Sequence, residues 1–109
     1  MAVTTELPIS ESELRFAVCE VAARHPVQRI ELFGSRALGT AGPESDIDLL
    51  VKFLPGARVG LFEMGALQQD LEERLGRRVD LVSRAAVERS SNPYKRRSIL
   101  SAPITLYAR

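Results

Sequence analysis

The stretch Asp46 to Phe53 reads DIDLLVKF, and it constrains the chain more than any other segment. Apolar and polar residues alternate in it, and a period of two belongs to a strand whose side chains point to opposite faces of a sheet. Ile47, Leu49, Val51 and Phe53 then share one face and cover a core, whereas Asp46, Asp48, Leu50 and Lys52 share the other. Asp46 and Asp48 stand about 6.6 Å apart at Cα by strand rise, so their carboxylates can reach a common point. Aspartate is disfavoured in strands, and Leu50 on the same face argues that this face is not simply the wet one.

The segments on either side supply the rest of a small layered domain. Ser10 followed by Glu13 has the spacing of a capping box, and Leu14, Ala17, Val18, Val21 and Ala22 recur at helical spacing after it, up to a stop at Pro26. QRIELF, with Ile30 and Leu32 alternating against Arg29 and Glu31, reads as a strand. Leu54-Pro55-Gly56 ends the DIDLLVKF strand. A second helix is predicted from about Val59 to Leu75, with Met64, Leu67, Leu71 and Leu75 as its apolar stripe and Gly76 as its C-cap. RRVDLV, Arg77 to Val82, reads as a third strand. Ser83 caps a short helix through Arg89, Asn92-Pro93 opens another that runs to about Leu100, and ITLY, Ile104 to Tyr107, makes a last strand at an edge. The expected fold is α/β (α+β): one domain over residues 1–109, a small mixed sheet with flanking helices.

Composition narrows the chemistry. The chain has 109 residues, 45% hydrophobic and 27% charged, as expected of an ordinary globular protein. Fifteen Lys and Arg against fourteen Asp and Glu leave a formal charge of +1, which argues against a broad grip on nucleic acid. The local basic run Lys95-Arg96-Arg97 reads as a solvated helix face. One cysteine, Cys19, excludes an intrachain disulfide. One histidine, His25 before Pro26, excludes a His-pair zinc site and reads as a loop residue. No apolar run approaches a membrane span and the first residues, MAVTTELPISESE, lack a secretory pattern, so a cytoplasmic location is expected, with no membrane association.

A third strand aspartate, Asp80, stands between Val79 and Leu81 and on the face opposite both. If its strand lies beside DIDLLVKF, Asp46, Asp48 and Asp80 form a cluster. Solvated charges and a metal site both remain open on the pattern alone; the metal reading calls for Mg²⁺ or Mn²⁺, since every ligand is a hard oxygen. Upstream, Gly34-Ser35 comes directly off the QRIELF strand, and Ser35-Arg36-Ala37-Leu38 could begin a short helix. Backbone amides at such a start, with the Ser35 hydroxyl and the Arg36 charge, would suit a phosphate. A plain turn explains Gly-Ser equally well when it is taken singly. Phosphate donors at one end of the loop and paired carboxylates at the other are the parts needed to hold a nucleoside triphosphate with magnesium.

Phe33-Gly34-Ser35, ten intervening residues and then Asp46-Ile47-Asp48-Leu49 resemble the signature of the DNA polymerase β-type nucleotidyltransferase superfamily, with Asp80 in RRVDLV at the position of its third carboxylate. The fuller string FGSRALGTAGPESDIDLLV closely resembles the stand-alone minimal nucleotidyltransferases (MNT) of bacteria and archaea. The resemblance implies that Asp46, Asp48 and Asp80 hold two Mg²⁺ ions and are the catalytic carboxylates, with Asp80 also helping to deprotonate the attacking hydroxyl. It implies that Gly34, Ser35 and, less directly, Arg36 bind the phosphates of ATP as co-substrate. Leu38 stands where many relatives carry a basic residue. The resemblance further implies an antitoxin that transfers AMP to a tyrosine of a HEPN-domain ribonuclease toxin. A non-catalytic antitoxin that binds its toxin directly is the alternative, and a small-molecule or RNA nucleotidyltransferase is a third reading that the lack of room for an acceptor domain disfavours.

Overall fold

The computed structural model describes residues 10–33, 47–89 and 103–109. Helix α1 spans Glu11–Ala22, strand β1 Val27–Phe33, strand β2 Ile47–Phe53, helix α2 Leu61–Leu75, strand β3 Val79–Ser83, helix α3 Arg84–Glu88 and strand β4 Ile104–Ala108. The expected helix after Asn92, the Lys95–Arg97 run and Leu38 lie outside the described residues.

Each helix begins and ends for an identifiable reason. At α1 the Glu13 amide donates to Ser10 Oγ and the Ser10 amide donates to Glu13 Oε1, both at 3.1 Å, closing the expected capping box. The predicted stripe of Leu14, Ala17, Val18, Val21 and Ala22 is buried throughout. Helix α2 starts two residues later than the sequence suggests, at Leu61, because Gly60 serves as its N-cap and donates its amide to Glu63 Oε1 at 2.8 Å. It ends at Gly76, whose φ of 66° is the left-handed conformation that favours glycine at a helix terminus.

The four strands form one mixed sheet in the order β3-β2-β1-β4. Strand β1 is antiparallel to both of its neighbours, while β2 and β3 run parallel. A bulge at Gln28, where Val27 pairs with Phe53 but Arg29 with Lys52, lets Val27 join Ile30 and Leu32 on the core face. Helices α1 and α2 cover that face, and Leu14, Val18 and Val21 from α1 and Leu67 and Leu71 from α2 meet Ile30, Ile47, Leu49, Val51, Val79, Leu81 and Leu106. Phe53, Met64 and Leu75 pack at the margin of this core.

The other face differs from the simple alternation of the sequence. Arg29 is exposed as expected, but Glu31 is only 5% exposed. Helix α3 packs over this face and brings Arg84 onto the Glu31 carboxylate, while Val87 joins Phe33, Leu50 and Val82 in a second, smaller apolar cluster. Periodicity does not reveal this, since a buried glutamate depends on the cation that a distant helix delivers.

Candidate active site

Register decides what this second face presents. Asp48 pairs with Asp80 on β3 and with Phe33 on β1, so the first row across the sheet reads Asp80, Asp48, Phe33. Leu50 pairs with Val82 and Glu31, and these three form the next row. The row after that holds Lys52, Arg29 and Ala108. One face therefore runs from acidic through apolar to basic.

The pairing of Asp48 with Asp80 follows from how β3 is held. The Ile47 amide donates to the Arg78 carbonyl at 3.0 Å, making the rung that sets β2 and β3 in register. The Val79 amide donates to Glu72 Oε2 on α2, also at 3.0 Å, which ties the start of β3 to the core layer. Val79 and Leu81 turn inward on either side of Asp80 and anchor it like two pegs. The two aspartates stand on one face of adjacent strands, their Cα atoms separated by about the 4.8 Å of a strand spacing. Asp48 is half-buried, and Asp80 is exposed on an edge strand.

Two carboxylates so placed repel each other unless a cation or a proton lies between them. Their oxygens are hard donors, and the pair suits Mg²⁺ in the way that such sites hold it, through one or two carboxylates and otherwise water and substrate phosphate. Glu31, the remaining acid of this face, is taken up by Arg84, with Arg29 3.8 Å away. Among the described residues no group of three or more His, Cys, Asp or Glu side chains is placed to hold a metal. Asp46, Gly34, Ser35 and Arg36 lie outside the described residues. His25, expected in a loop, follows α1 in the turn before β1 and meets Asp70 Oδ2 through Nε2 at 2.7 Å, remote in the fold from Asp48.

The sequence pattern did not anticipate the contribution of Arg84, Glu31 and the basic row to this face. The basic residues come from β1, β2, the start of α3 and the chain after β4, and nothing local unites them. The one usable signal was Arg84 directly after the Ser83 cap, which starts α3 against the sheet.

Comparison with known proteins identifies the family of the chain. The nucleotidyltransferase domain family matches residues 14–104. A protein of Methanocaldococcus jannaschii, provisionally named a protein adenylyltransferase, is 38% identical over 76 residues, covering 70% of this chain and 73% of the relative. A solved structure described provisionally as a minimal nucleotidyltransferase is 39% identical, with a TM-score of 0.66 over 88% of this chain and 95% of that one. A chain of the solved complex of a tri-AMPylated Shewanella oneidensis HEPN toxin with an MNT antitoxin shares the fold at a TM-score of 0.64 and 20% identity, covering 92% of this chain and 74% of that one. In sequence over most of its length and in the layout of its sheet, this chain belongs to the nucleotidyltransferase domain family.

Proposed function

We propose that this protein is a nucleotidyltransferase antitoxin that transfers AMP from ATP to a tyrosine hydroxyl of a HEPN-domain ribonuclease toxin. The observation that carries the reading is the in-register pairing of Asp48 with Asp80 on an open sheet face. The provisional name of the archaeal relative and the AMPylated toxin in the Shewanella complex support the choice of AMP and of a protein acceptor. Exposure of Asp80 on an edge strand suits an acceptor as large as another protein, because nothing in the described part of the sheet stands beyond it.

In this reading Asp48 and Asp80, joined by Asp46 one residue before β2, hold two magnesium ions. Magnesium bound there supplies a lowered pKa for the attacking hydroxyl and charge neutralisation for the departing oxygens. Gly34 and Ser35 follow Phe33 in the chain, and the pairing of Phe33 with Asp48 supports giving them the phosphate-binding role. Their backbone amides and the Ser35 hydroxyl bind the β and γ phosphates, and Arg36 adds a positive charge. The tyrosine oxygen attacks the α phosphorus. A new P–O bond forms, the bond from the α phosphorus to the bridging oxygen breaks, pyrophosphate departs, and the hydroxyl proton passes to Asp80 and on to water. Among the described residues no helix is long and apolar enough to cross a membrane; we take the cytoplasm as the place of action.

The test is to incubate the protein with Mg²⁺, host extract and ATP labelled at either the α or the γ phosphate. A protein band labelled from the α position only, and lost with Asp48→Asn, is the expected result. Label from the γ position would replace nucleotidyl transfer by phosphoryl transfer. No label, with the chain still co-purifying with a partner, would replace the enzyme by a binding-only antitoxin.

A further inference from the structure

The basic end of the second sheet face lies four residues along β2 from Asp48, about 13 Å away by strand rise. There a cavity of about 340 Å³ is lined by Gln28, Arg29, Lys52, Arg84, Glu88 and Arg109. That volume is at the lower end of those that hold small organic ligands. Four cations line it, yet only two carboxylates oppose them. Glu31 beneath takes Arg84 and lies 3.8 Å from Arg29, and Glu88 Oε2 accepts from Arg84 Nε at 3.1 Å. Among the described side chains positive charge exceeds negative there, in a chain whose whole formal charge is +1.

The cations are also well placed. The Arg109 amide donates to the Gln28 carbonyl at 2.8 Å, and Arg109 Nε donates to Tyr107 Oη at 2.9 Å, which leaves the outer edge of the guanidinium to a ligand. Arg29 sits across the ladder from Lys52. Gln28 Oε1 is buried without a hydrogen-bond partner among the described residues. Guanidinium forks match phosphate oxygens in pairs, so a phosphate group suits this surplus of positive charge.

We infer that this cavity is a second phosphate site, one that takes the phosphate of a nucleoside monophosphate, at the opposite end of the face from Asp48 and Asp80. The nucleotide is either free, a monoester dianion, or already esterified to the acceptor, a diester monoanion; both offer phosphate oxygens to the guanidinium forks. The site does not depend on the proposed transfer reaction, since none of its residues belongs to the acidic row.

The test is an NMR titration of the full chain with AMP, with inorganic phosphate and with O-adenylyl-tyrosine, in a metal chelator so that the carboxylates contribute nothing. AMP should bind saturably and shift the amides of Lys52, Arg84 and Arg109. Lys52→Ala with Arg109→Ala, both exposed positions, should weaken binding about tenfold or more. Lys52→Arg should retain it, and Asp48→Asn should leave it unchanged. Binding of O-adenylyl-tyrosine as tightly as AMP identifies the transferred nucleotide as the occupant; binding of AMP without it identifies a free one, and binding of inorganic phosphate alone would overturn the inference. Absence of saturable binding by all three probes would overturn the inference, as would an affinity that survives the Lys52/Arg109 double substitution. Loss of AMP binding in Asp48→Asn would also overturn it, since the nucleotide would then be seated at the acidic row.

Discussion

The two faces of the sheet are built from the same four strands and do opposite things. Under α1 and α2 the strands present an unbroken apolar surface, and every central side chain is buried. Under α3 they present carboxylates, a small apolar cluster and cations in successive rows. The first face is where burial stabilises the fold. The second gives up apolar area, keeps like charges side by side and leaves its ends open to ligands. Charged groups that oppose one another locally are tolerated because the first face holds the strands in place.

Five tests would break or sharpen that contrast. The largest effect is expected from Asp48→Asn, which should reduce AMP transfer on the order of a thousandfold or more. Its thermal midpoint should hold or rise, because one of two adjacent negative charges is gone; a large fall in midpoint would mean that Asp48 serves the fold instead. Leu67→Ala, on the other face, should cost about 2–5 kcal/mol in denaturant unfolding while transfer per folded molecule stays normal.

Arg84→Ala leaves the buried Glu31 with only the longer contact to Arg29 and should cost about 3 kcal/mol. Pairing Arg84→Met with Glu31→Leu should recover most of that loss; if it does not, the apolar contacts of α3 rather than the ion pair are what Arg84 supports. Ser10→Ala removes one cap and should cost about 1 kcal/mol. The smallest effect is a pH dependence of the same cap. The Ser10 backbone and side-chain hydrogen bonds hold Glu13 below its ordinary 4.5, and the Gly60 amide does the same for Glu63. A lowered carboxylate pKa contributes stability above the unfolded value and loses it as pH falls through the folded one. Helix stability should therefore decline below about pH 4.5, and Glu13→Gln should flatten the decline when it is followed by circular dichroism.

Much of this was legible in the residues. The Ser10–Glu13 box, the α1 stripe, Gly76 and the Ile47–Phe53 alternation each encode local geometry, and local geometry is what spacing reports. The Asp48–Asp80 proximity was legible only conditionally, because it needs β3 to lie beside β2, a long-range choice of neighbour. The starts of α2 and β3 lie two residues later than expected because Gly60 and the Glu72 contact to Val79, not propensity, set them. The burial of Glu31 was beyond reach. An exposed and a buried glutamate look alike in a strand until the helix carrying Arg84 has been placed over one of them.

The place of β1 in the middle of the sheet has a consequence for synthesis. Its two neighbours are encoded far apart: β2 begins at Ile47, but β4 begins only at Ile104. A nascent chain can close the α1 and α2 layer and pair β1 with β2 and β3 while one rim of Val27–Phe33 still lacks its partner. Such a rim is a template for another strand. The sheet is complete only once Ile104–Ala108 has been made, and a chain cut short before Ile104 would carry a nearly folded domain with an adhesive edge.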